Sequence, residues 1–329
     1  IIVPMLAFDK QGFRLGYGKG FYDKFYENNK KISYIGYGYD FQEVNKLPSK
    51  HYDLKFNAVI TNSFIKNFNW FMNILFLGDL VGENSFYFLK KNLKNICKKY
   101  NICLVIANAE NVSGGYGITP EICDEIFNSG VDVISSGNHI WDQQEIIPYI
   151  AKNNNLLKPN NFSKGAAGNG YFLATNNRNK KILVINLMCN LFMRKSDNLF
   201  ESINEIMKEF KLKKNCDAII IDLHGEAASE KQAFANYLDG KVTAVIGTHT
   251  HVPSSDLRIL PHGTAYQTDC GMCGDYDSVI GGDKKKWIEN FIKKPGYQKI
   301  FPANTNNTLC GAIIKVFEDT GLSSVVKQL

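Results

Sequence analysis

Val242-Thr243-Ala244-Val245-Ile246 leads directly into Gly247-Thr248-His249-Thr250-His251. The β-branched apolar run predicts a buried strand, and the glycine and threonines after it predict a turn at the strand's carboxyl end. In extended backbone, residues two apart point to the same side, so the two imidazoles can converge on one metal ion or on two neighbouring ions. An isolated pair of this kind would more simply be two turn histidines, so the interpretation depends on the rest of the chain.

Four further apolar runs end in the same way, with oxygen or nitrogen donors at their carboxyl ends. They lead into Asp79, into Glu110 and Asn111, into Asn138 and His139, and into His224. In layered α/β proteins the residues that follow strands gather at one sheet edge, where active sites form. Taken singly, these side chains could be helix caps, turn formers or satisfied loop histidines. Taken jointly, with four of the six histidines in such turns, they favour a metal centre.

Composition narrows the class of protein. A chain of 329 residues exceeds what one hydrophobic core usually serves, so two domains are expected, and 44% hydrophobic residues exclude a disordered chain. The net charge of +6, without a dense basic stripe, suits a small phosphate-bearing ligand better than a stable nucleic-acid complex. Eight scattered cysteines favour a reduced, cytoplasmic protein, in which Cys270 and Cys273 are turn residues rather than a zinc or redox site. No apolar run approaches the ~20 residues that a membrane-spanning helix requires. The oligomeric state is left open, and a homo-oligomer is possible.

Residues 9–24 predict a glycine-rich loop that leads into a helix. Glycines let backbone N–H groups approach an anion closely, and Arg14 and Lys19 add positive charge. Phosphate binding is therefore the functional interpretation, and an ordinary turn is the alternative, because a single glycine-rich loop is weak evidence.

This segment resembles the C-terminal part of 5-formyltetrahydrofolate cyclo-ligase. The family pattern P-x-x-A-F-D-x-x-G-x-R-L-G-x-G-x-G-x-Y-D is matched from Pro4 to Asp23, and the likeness continues through Leu47-Pro48, His51, Asp53 and 59–61. The resemblance implies that ATP phosphates and Mg²⁺ bind at Arg14, Gly16, Gly18, Gly20 and Asp23. It also implies half a site, so Mg-ATP chemistry is expected only if the family's N-terminal half is supplied.

The expected organisation is a fusion, natural or introduced by a frame or assembly error. Residues 1–63 are the cyclo-ligase-like fragment, residues 64–71 are the junction, and a second domain spans residues 72–329. In that domain we expect an amphipathic helix after Gly82, a helix capped by Thr119-Pro120, and a helix over 199–211 between strands. A strand near 312–317 is expected to close the chain. Alternating strands and helices predict a layered α/β sandwich of two β-sheets flanked by helices.

Five motifs carry a second resemblance, together with shorter matches at residues 263–266, 271–272 and 276–281. They are Gly78-Asp79-Leu80-Val81-Gly82, Asn108-Ala109-Glu110-Asn111, Gly137-Asn138-His139, His224-Gly225-Glu226-Ala227 and Gly247-Thr248-His249-Thr250-His251-Val252-Pro253. Residues 72–329 resemble the calcineurin-like metallophosphoesterases, specifically the bacterial branch with 2',3'-cyclic-nucleotide 2'-phosphodiesterase activity. As in that branch, no histidine follows Asp79 at the opening motif. Gly225 and Asp275 depart from the residues expected there, which bears on the fit of the substrate rather than on the metals.

The resemblance implies two metal sites that share Glu110. Asp79, Glu110, Asn111 and His251 would hold one ion, and Glu110, Asn138, His224 and His249 the other. These donors suit iron or manganese, with zinc as the alternative, because no thiolate is offered. A metal-bound hydroxide would attack phosphorus, and His139 would protonate the departing sugar oxygen.

The leading hypothesis is therefore a dinuclear metal-dependent phosphodiesterase acting on small phosphodiesters, 2',3'-cyclic nucleotides in particular. One alternative is an ATP-dependent 5-formyltetrahydrofolate cyclo-ligase, or a bifunctional fusion, carried by the N-terminal segment. The other is a non-catalytic metal-binding regulatory module. His139 argues against the regulatory module, because binding alone needs no acid at that position.

Overall fold

The computed structural model describes residues 1–29, 32–50, 53–68, 71–163, 165–292 and 299–329. His51 of the cyclo-ligase likeness and residues 69–70 of the expected junction lie outside these ranges. The chain divides into two compact units, Ile1–Phe71 and Met72–Leu329. Among the described residues, no helix combines the length and the apolar character needed to cross a membrane.

The described part of the first unit is a small α/β structure with helix α1 (Phe21–Asn28) and a 3-10 turn at Asp40–Gln42. Its strands are β1 Ile2–Pro4, β2 Ala7–Asp9, β3 Arg14–Leu15, β4 Ile35–Tyr37, β5 Glu43–Val44, β6 Ala58–Ile60 and β7 Ile65–Asn67. Four strands form a sheet in the order β1-β4-β6-β7, parallel except for β7, and three form a second sheet in the order β3-β2-β5. Val3, Phe8, Tyr34 and Phe56 pack in its core.

The second unit contains two large sheets. Its first strand, β8, begins at Phe71, one residue before the unit's boundary at Met72. Its strands are β8 Phe71–Leu77, β9 Asp79–Leu80, β10 Ile102–Asn108, β11 Val133–Ser135, β12 Tyr171–Thr175, β13 Lys181–Met188, β14 Ala218–His224, β15 Ala244–Thr248, β16 Arg258–Ile259, β17 Ala265–Gln267, β18 Met272–Asp275, β19 Asn307–Thr308, β20 Gly311–Phe317 and β21 Ser323–Gln328. Its helices are α2 Glu83–Tyr100, α3 Pro120–Asn128, α4 Ile146–Ile150, α5 Leu199–Glu209, α6 Ala228–Tyr237 and α7 Lys284–Ile292.

The strand order shows which strands end together at one edge of each sheet. One sheet runs β11-β10-β8-β20-β21, and its first three strands are parallel. The other runs β12-β13-β14-β15-β17-β16, with four central parallel strands and an antiparallel strand at each edge. A small third sheet, β19-β18-β9, carries Asp79 in β9. Parallel neighbours end together, as the pairings Asn108 with Ser135 and His224 with Thr248 show.

Alternation along the strands builds three apolar layers. In β8, Ile74 and Phe76 point into a core shared with Ile220 of β14 and Ile246 of β15, which lies between the sheets. Leu75 points the other way, into the core under α2 and α3. The opposite faces of β13, β14 and β15 pack in a third core with α5 and α6. Side chains that alternate between faces thus produce the predicted sandwich, helix–sheet–sheet–helix.

The predicted elements are confirmed, with shifts at their ends. Helix α3 begins at Pro120, and the hydroxyl of Thr119 accepts the backbone N–H of Ile122 at 3.4 Å, which is a helix cap. Strand β14 continues to His224, three residues beyond the predicted apolar run, so His224 lies within a strand. The strand at 311–317 does not close the chain, because Gly321, with φ 72°, turns it back into β21.

Candidate metal centre

The deepest part of the candidate site is centred on His224, whose side chain is fully buried. Its Nε2 lies 2.9 Å from Oε1 of Glu110, 3.1 Å from Oδ1 of Asn138 and 3.1 Å from Nδ1 of His249. One ligand atom each from Glu110, His224 and His249 lies within 4.8 Å of the others, so a single cation could contact all three. The structure therefore brings together the four residues that the resemblance assigns to one ion.

Opposite charges hold this cluster together. Burial raises the pKa of Glu110, but the charge and hydrogen bond of His224 outweigh burial and lower that pKa to about 2. Burial lowers the pKa of His224, but Glu110 and the other nearby carboxylates raise it to about 9. Burial, followed by the His224 charge, lowers the pKa of His249 to about 3. His249 is therefore neutral at physiological pH, with a lone pair available to a cation.

A buried hydrogen-bond chain orients His224. Its Nδ1 lies 2.9 Å from the Thr248 hydroxyl, and that hydroxyl donates to Oδ1 of Asp222 at 2.6 Å. Because the hydroxyl proton is directed at Asp222, the hydroxyl accepts from Nδ1–H, and Nε2 faces the ligand cluster. The second oxygen of Asp222 accepts from Asn108 at 3.0 Å and from Ser135. This chain positions the imidazole before any ligand binds.

A second group of predicted ligands adjoins the first. Nε2 of His251 lies 3.0 Å from the side-chain nitrogen of Asn111 and 3.9 Å from Oδ1 of Asp79. Nδ1–H of His251 donates to the carbonyl of Ile280 at 2.8 Å, which leaves Nε2 to face the site. The backbone N–H of His249 donates to Oδ2 of Asp79 at 3.1 Å and so links the two groups.

The backbone of the histidine loop is strained. His249 has φ 107° and His251 has φ 65°, both in the left-handed region that residues with a side chain rarely adopt. A hydrogen bond lies on each side of His249: the Lys231 ammonium donates to the Thr248 carbonyl at 2.8 Å, and Asp269 accepts the Thr250 N–H at 2.9 Å. The ammonium of Lys231 lies 3.4 Å from Asp269, so one ion pair supports both sides of the loop.

Close packing fixes the loop that carries Asn138. A side chain added at Gly137 would place its Cβ 2.2 Å from the His224 ring, so only glycine allows this approach. Glycine at this position therefore lets Asn138 reach a fully buried histidine.

The donor set fits divalent cations. Asp79 and Glu110 are fully buried. Within the described ranges Oδ1 of Asp79 has no hydrogen-bond donor, and Oε1 of Glu110 lies 2.9 Å from Nε2 of His224. A buried carboxylate oxygen is costly unless a charge or a donor satisfies it, and a cation would satisfy Oδ1 of Asp79. Burial raises the pKa of Asp79, because a carboxylate charge is unfavourable away from water. Hard oxygens mixed with imidazoles are ligands for divalent metals.

His139 lies at the side of this cluster, with its backbone N–H donating to Oε2 of Glu110 at 2.8 Å. Its Nδ1 is 2.6 Å from Oδ2 of Asp142, and its ring packs edge-to-face on Tyr116 with 5.3 Å between centroids. About a quarter of the side chain is exposed, so the ring is accessible from the cavity. All eight predicted site residues of the second unit thus lie in one connected group.

A cavity of about 510 Å³ adjoins these side chains. Glu110, Asn111, His139, His249 and His251 line it on the polar part. Its volume lies within the ~300–1,000 Å³ range of small-molecule sites. The arrangement can therefore bind a small anionic ligand directly against the candidate cations.

Sequence reasoning missed four residues that orient the ligands. Asp222 interrupts the apolar run of β14, and a charged residue inside a buried strand is a signal that could have identified it. Thr248 is the last residue of β15 and carried no signal of its own. Lys231 lies in a helix and Asp269 in a loop, and their burial depends on contacts distant in sequence.

The predicted phosphate loop of the first unit has its own contacts. Arg14 is almost fully buried, and its guanidinium lies 3.2 Å from Oδ2 of Asp23 and 5.3 Å from the centre of the Tyr22 ring. Oδ1 of Asp23 accepts the Leu54 N–H at 3.1 Å. These contacts tie the loop to the start of α1, so Arg14 and Asp23 have packing roles whether or not a phosphate binds.

The three glycines of this loop that were predicted to bind phosphate differ from one another. Gly18 and Gly20 have φ of 86° and 60°, which favours glycine, and no atom lies within 4 Å of a Cβ built on either. A Cβ on Gly16 would lie 2.2 Å from the Arg14 guanidinium. Phosphate binding at these glycines stays a prediction.

Comparison with known proteins decides the family. The model of the YmdB-like protein family matches residues 75–329. The chain belongs to the YmdB-like family. A 2',3'-cyclic-nucleotide 2'-phosphodiesterase of Bacillus subtilis is 40% identical over 258 residues, which cover 78% of this chain and 96% of that protein. The crystal structure of a phosphatase from Mycoplasma pneumoniae matches with a TM-score of 0.72 and 34% identity, over 79% of this chain and 92% of that chain. The resemblance and the layered fold predicted for the YmdB-like region are confirmed.

The segment that precedes the YmdB-like region matches a different family. The model of the 5-formyltetrahydrofolate cyclo-ligase family matches residues 1–62. The Escherichia coli cyclo-ligase is 45% identical over 65 residues, which are 19% of this chain and 36% of that enzyme. This resemblance is also confirmed, and it extends over about a third of a cyclo-ligase.

Proposed function

We propose that this chain is a phosphoester hydrolase that cleaves small phosphodiesters, 2',3'-cyclic nucleotides in particular, at a centre of two divalent cations. The observation that carries the proposal is the convergence of seven oxygen and nitrogen donors beside one cavity, including a buried oxygen of Asp79 without a donor among the described residues. The name of the Bacillus subtilis relative supports the choice of substrate.

The seven donors divide between two cations that share Glu110. Asp79, Asn111 and His251 complete one set, and Asn138, His224 and His249 complete the other. When bound, the cations supply an acidified water as the nucleophile and offset the charge that develops on the phosphate. Because no thiolate is among the donors, iron or manganese is favoured, with zinc as the alternative.

His139 is the proposed general acid. Asp142 accepts the hydrogen bond of Nδ1 at 2.6 Å, which leaves Nε2 as the ring nitrogen that can donate a proton to a leaving oxygen. The bond from its own backbone to Glu110 fixes the ring relative to the metal ligands. His139 would then protonate the leaving oxygen of a phosphate held beside the seven donors.

The test is turnover of 2',3'-cAMP by the full chain loaded with Mn²⁺ or Fe²⁺. In His139→Ala, kcat is expected to fall about 10²–10⁴-fold, the usual contribution of a general acid, while the metal content stays that of the unaltered chain. His262→Ala is the matched control, because this histidine is largely exposed and bonded to Asp239. Full activity in His139→Ala would exclude His139 as the general acid. A folded, metal-loaded chain that hydrolyses no phosphoester would favour a metal-binding module without catalytic activity.

The family match of residues 1–62 raises cyclo-ligase activity as the alternative that has to be tested. Because the match extends over 36% of the Escherichia coli enzyme, the full chain is expected to show no ATP-dependent cyclisation of 5-formyltetrahydrofolate. The measurement is the absorbance change of cyclisation with Mg-ATP, with an intact cyclo-ligase as positive control. Turnover above background that is lost in Arg14→Ala would establish a bifunctional enzyme.

A further inference from the structure

The cavity beside the metal centre has a second lining that the proposed chemistry does not use. It consists of apolar side chains, here named the apolar wall: Tyr116, Ile280, Trp287, Ile300, Phe301 and Pro302. The wall comes from three separate segments of the chain, and it faces the same space as the polar ligands. The carbon surface of these side chains supplies no ligand to a cation.

Parts of the wall are costly to leave in water. Phe301 is 61% exposed and Ile280 is 44% exposed, although both are large and apolar. Exposed apolar surface that borders a polar site commonly marks a ligand surface. The ammonium of Lys299 lies 5.5 Å from the centre of the Phe301 ring and 5.8 Å from that of Tyr116, so one cation associates with both rings.

The wall is connected to the catalytic groups at two points. The ring of Tyr116 packs against that of the proposed acid, His139, at 5.3 Å. The carbonyl of Ile280 accepts the hydrogen bond that orients His251. When the phosphate of a ligand lies beside the proposed metal ligands, a group attached a few ångströms from phosphorus would therefore contact the apolar wall.

The geometry points to the apolar wall as the subsite for the base of a nucleotide substrate, an inference that rests on the proposed function. A nucleobase is flat and has a π-face, so it can stack on Phe301, Trp287 or Tyr116. Stacking is tolerant of the base identity, so the subsite would accept purines and pyrimidines. The wall would thereby select nucleotides over phosphodiesters that lack a base.

The test compares two substrates with the same reacting group. The full, metal-loaded chain is assayed with 2',3'-cAMP and with glycerol 1,2-cyclic phosphate, a five-membered cyclic diester without a base. In Phe301→Ala and Trp287→Ala, the ratio of kcat/KM for 2',3'-cAMP to that for the base-free diester is expected to fall about 10-fold, in line with the loss of one stacking contact. Tyr87→Ala, an exposed aromatic on α2 outside the cavity, should leave the ratio unchanged.

The outcomes separate the base subsite from the proposed reaction. A ratio that does not change, or an equal loss on both substrates, would overturn the base subsite, because the wall would then support only folding or the metal centre. Binding of 3'-AMP and of glycerol phosphate, measured by calorimetry, does not depend on turnover. If the chain hydrolyses neither diester, the proposed reaction fails. In that case, tighter binding of 3'-AMP that weakens in Phe301→Ala supports the subsite, and equal binding of the two ligands overturns it.

Discussion

Replacement of Glu110 by glutamine is expected to lower phosphodiesterase turnover by about 10³-fold or more and to release bound metal. Glu110 is fully buried, its Oε1 lies 2.9 Å from Nε2 of His224, and its Oε2 accepts the His139 N–H at 2.8 Å. It is the donor that both proposed cation sets share, so the neutral amide weakens both. Metal catalysis contributes several kcal/mol, and each ~1.4 kcal/mol corresponds to a factor of ten in rate.

Two measurements check this prediction: metal content by mass spectrometry after gel filtration, and kcat on 2',3'-cAMP. Glu121→Gln, an exposed glutamate in the first turn of α3, is the matched control and should behave as the unaltered chain. A Glu110→Gln variant that keeps two metal equivalents and turns over within tenfold of the original would exclude a bridging role for Glu110.

Lys231→Met is expected to destabilise the fold by about 3–5 kcal/mol, because it leaves the buried carboxylate of Asp269 without its partner. The same change removes the donor to the Thr248 carbonyl, on one side of the strained residue His249. The histidine loop would then be held less firmly, and metal affinity is expected to fall about 10–100-fold, as for other residues that orient metal ligands.

The measurements for Lys231→Met are the urea midpoint and a metal titration. The double variant Lys231→Met with Asp269→Asn removes the unpaired charge, so it should recover part of the stability while the metal affinity stays low. Lys208→Met, an exposed position on α5, should change the stability by less than about 0.5 kcal/mol. Normal metal affinity in a destabilised Lys231→Met would show that the ion pair stabilises the fold without positioning His249.

The candidate ligands could be nominated from the sequence because each lies where a local pattern changes from an apolar strand to polar residues. His249 and His251 follow β15, and Asn138 and His139 follow β11, so short-range sequence was sufficient to nominate them. Which donors approach each other depends on strand order, and the family resemblance supplied that assignment where spacing did not. The layered fold was predictable for the same reason, since strands and helices alternate with clear periodicity.

The supporting contacts were not predictable, because they join residues far apart in the chain. A lysine in a helix is normally exposed, and only the fold places Lys231 in a fully buried position against Asp269, 38 residues later. The bond between Asn108 and Asp222 spans 114 residues. The first pair joins α6 to the loop after β17 and the second joins the two sheets, and no local pattern encodes either packing.

The proposed cation ligands come from both sheets of the sandwich, and this has a consequence for the lifetime of the protein. Glu110 and Asn138 follow strands of one sheet, whereas His224 and His249 belong to the other. Cations at this position would link the two sheets, and they would bind the folded chain but not the unfolded chain. At a free metal concentration 1,000 times the dissociation constant, such binding adds about 4 kcal/mol of stability. Resistance to proteolysis should therefore follow the supply of metal, so that a starved cell would lose the protein as well as its activity.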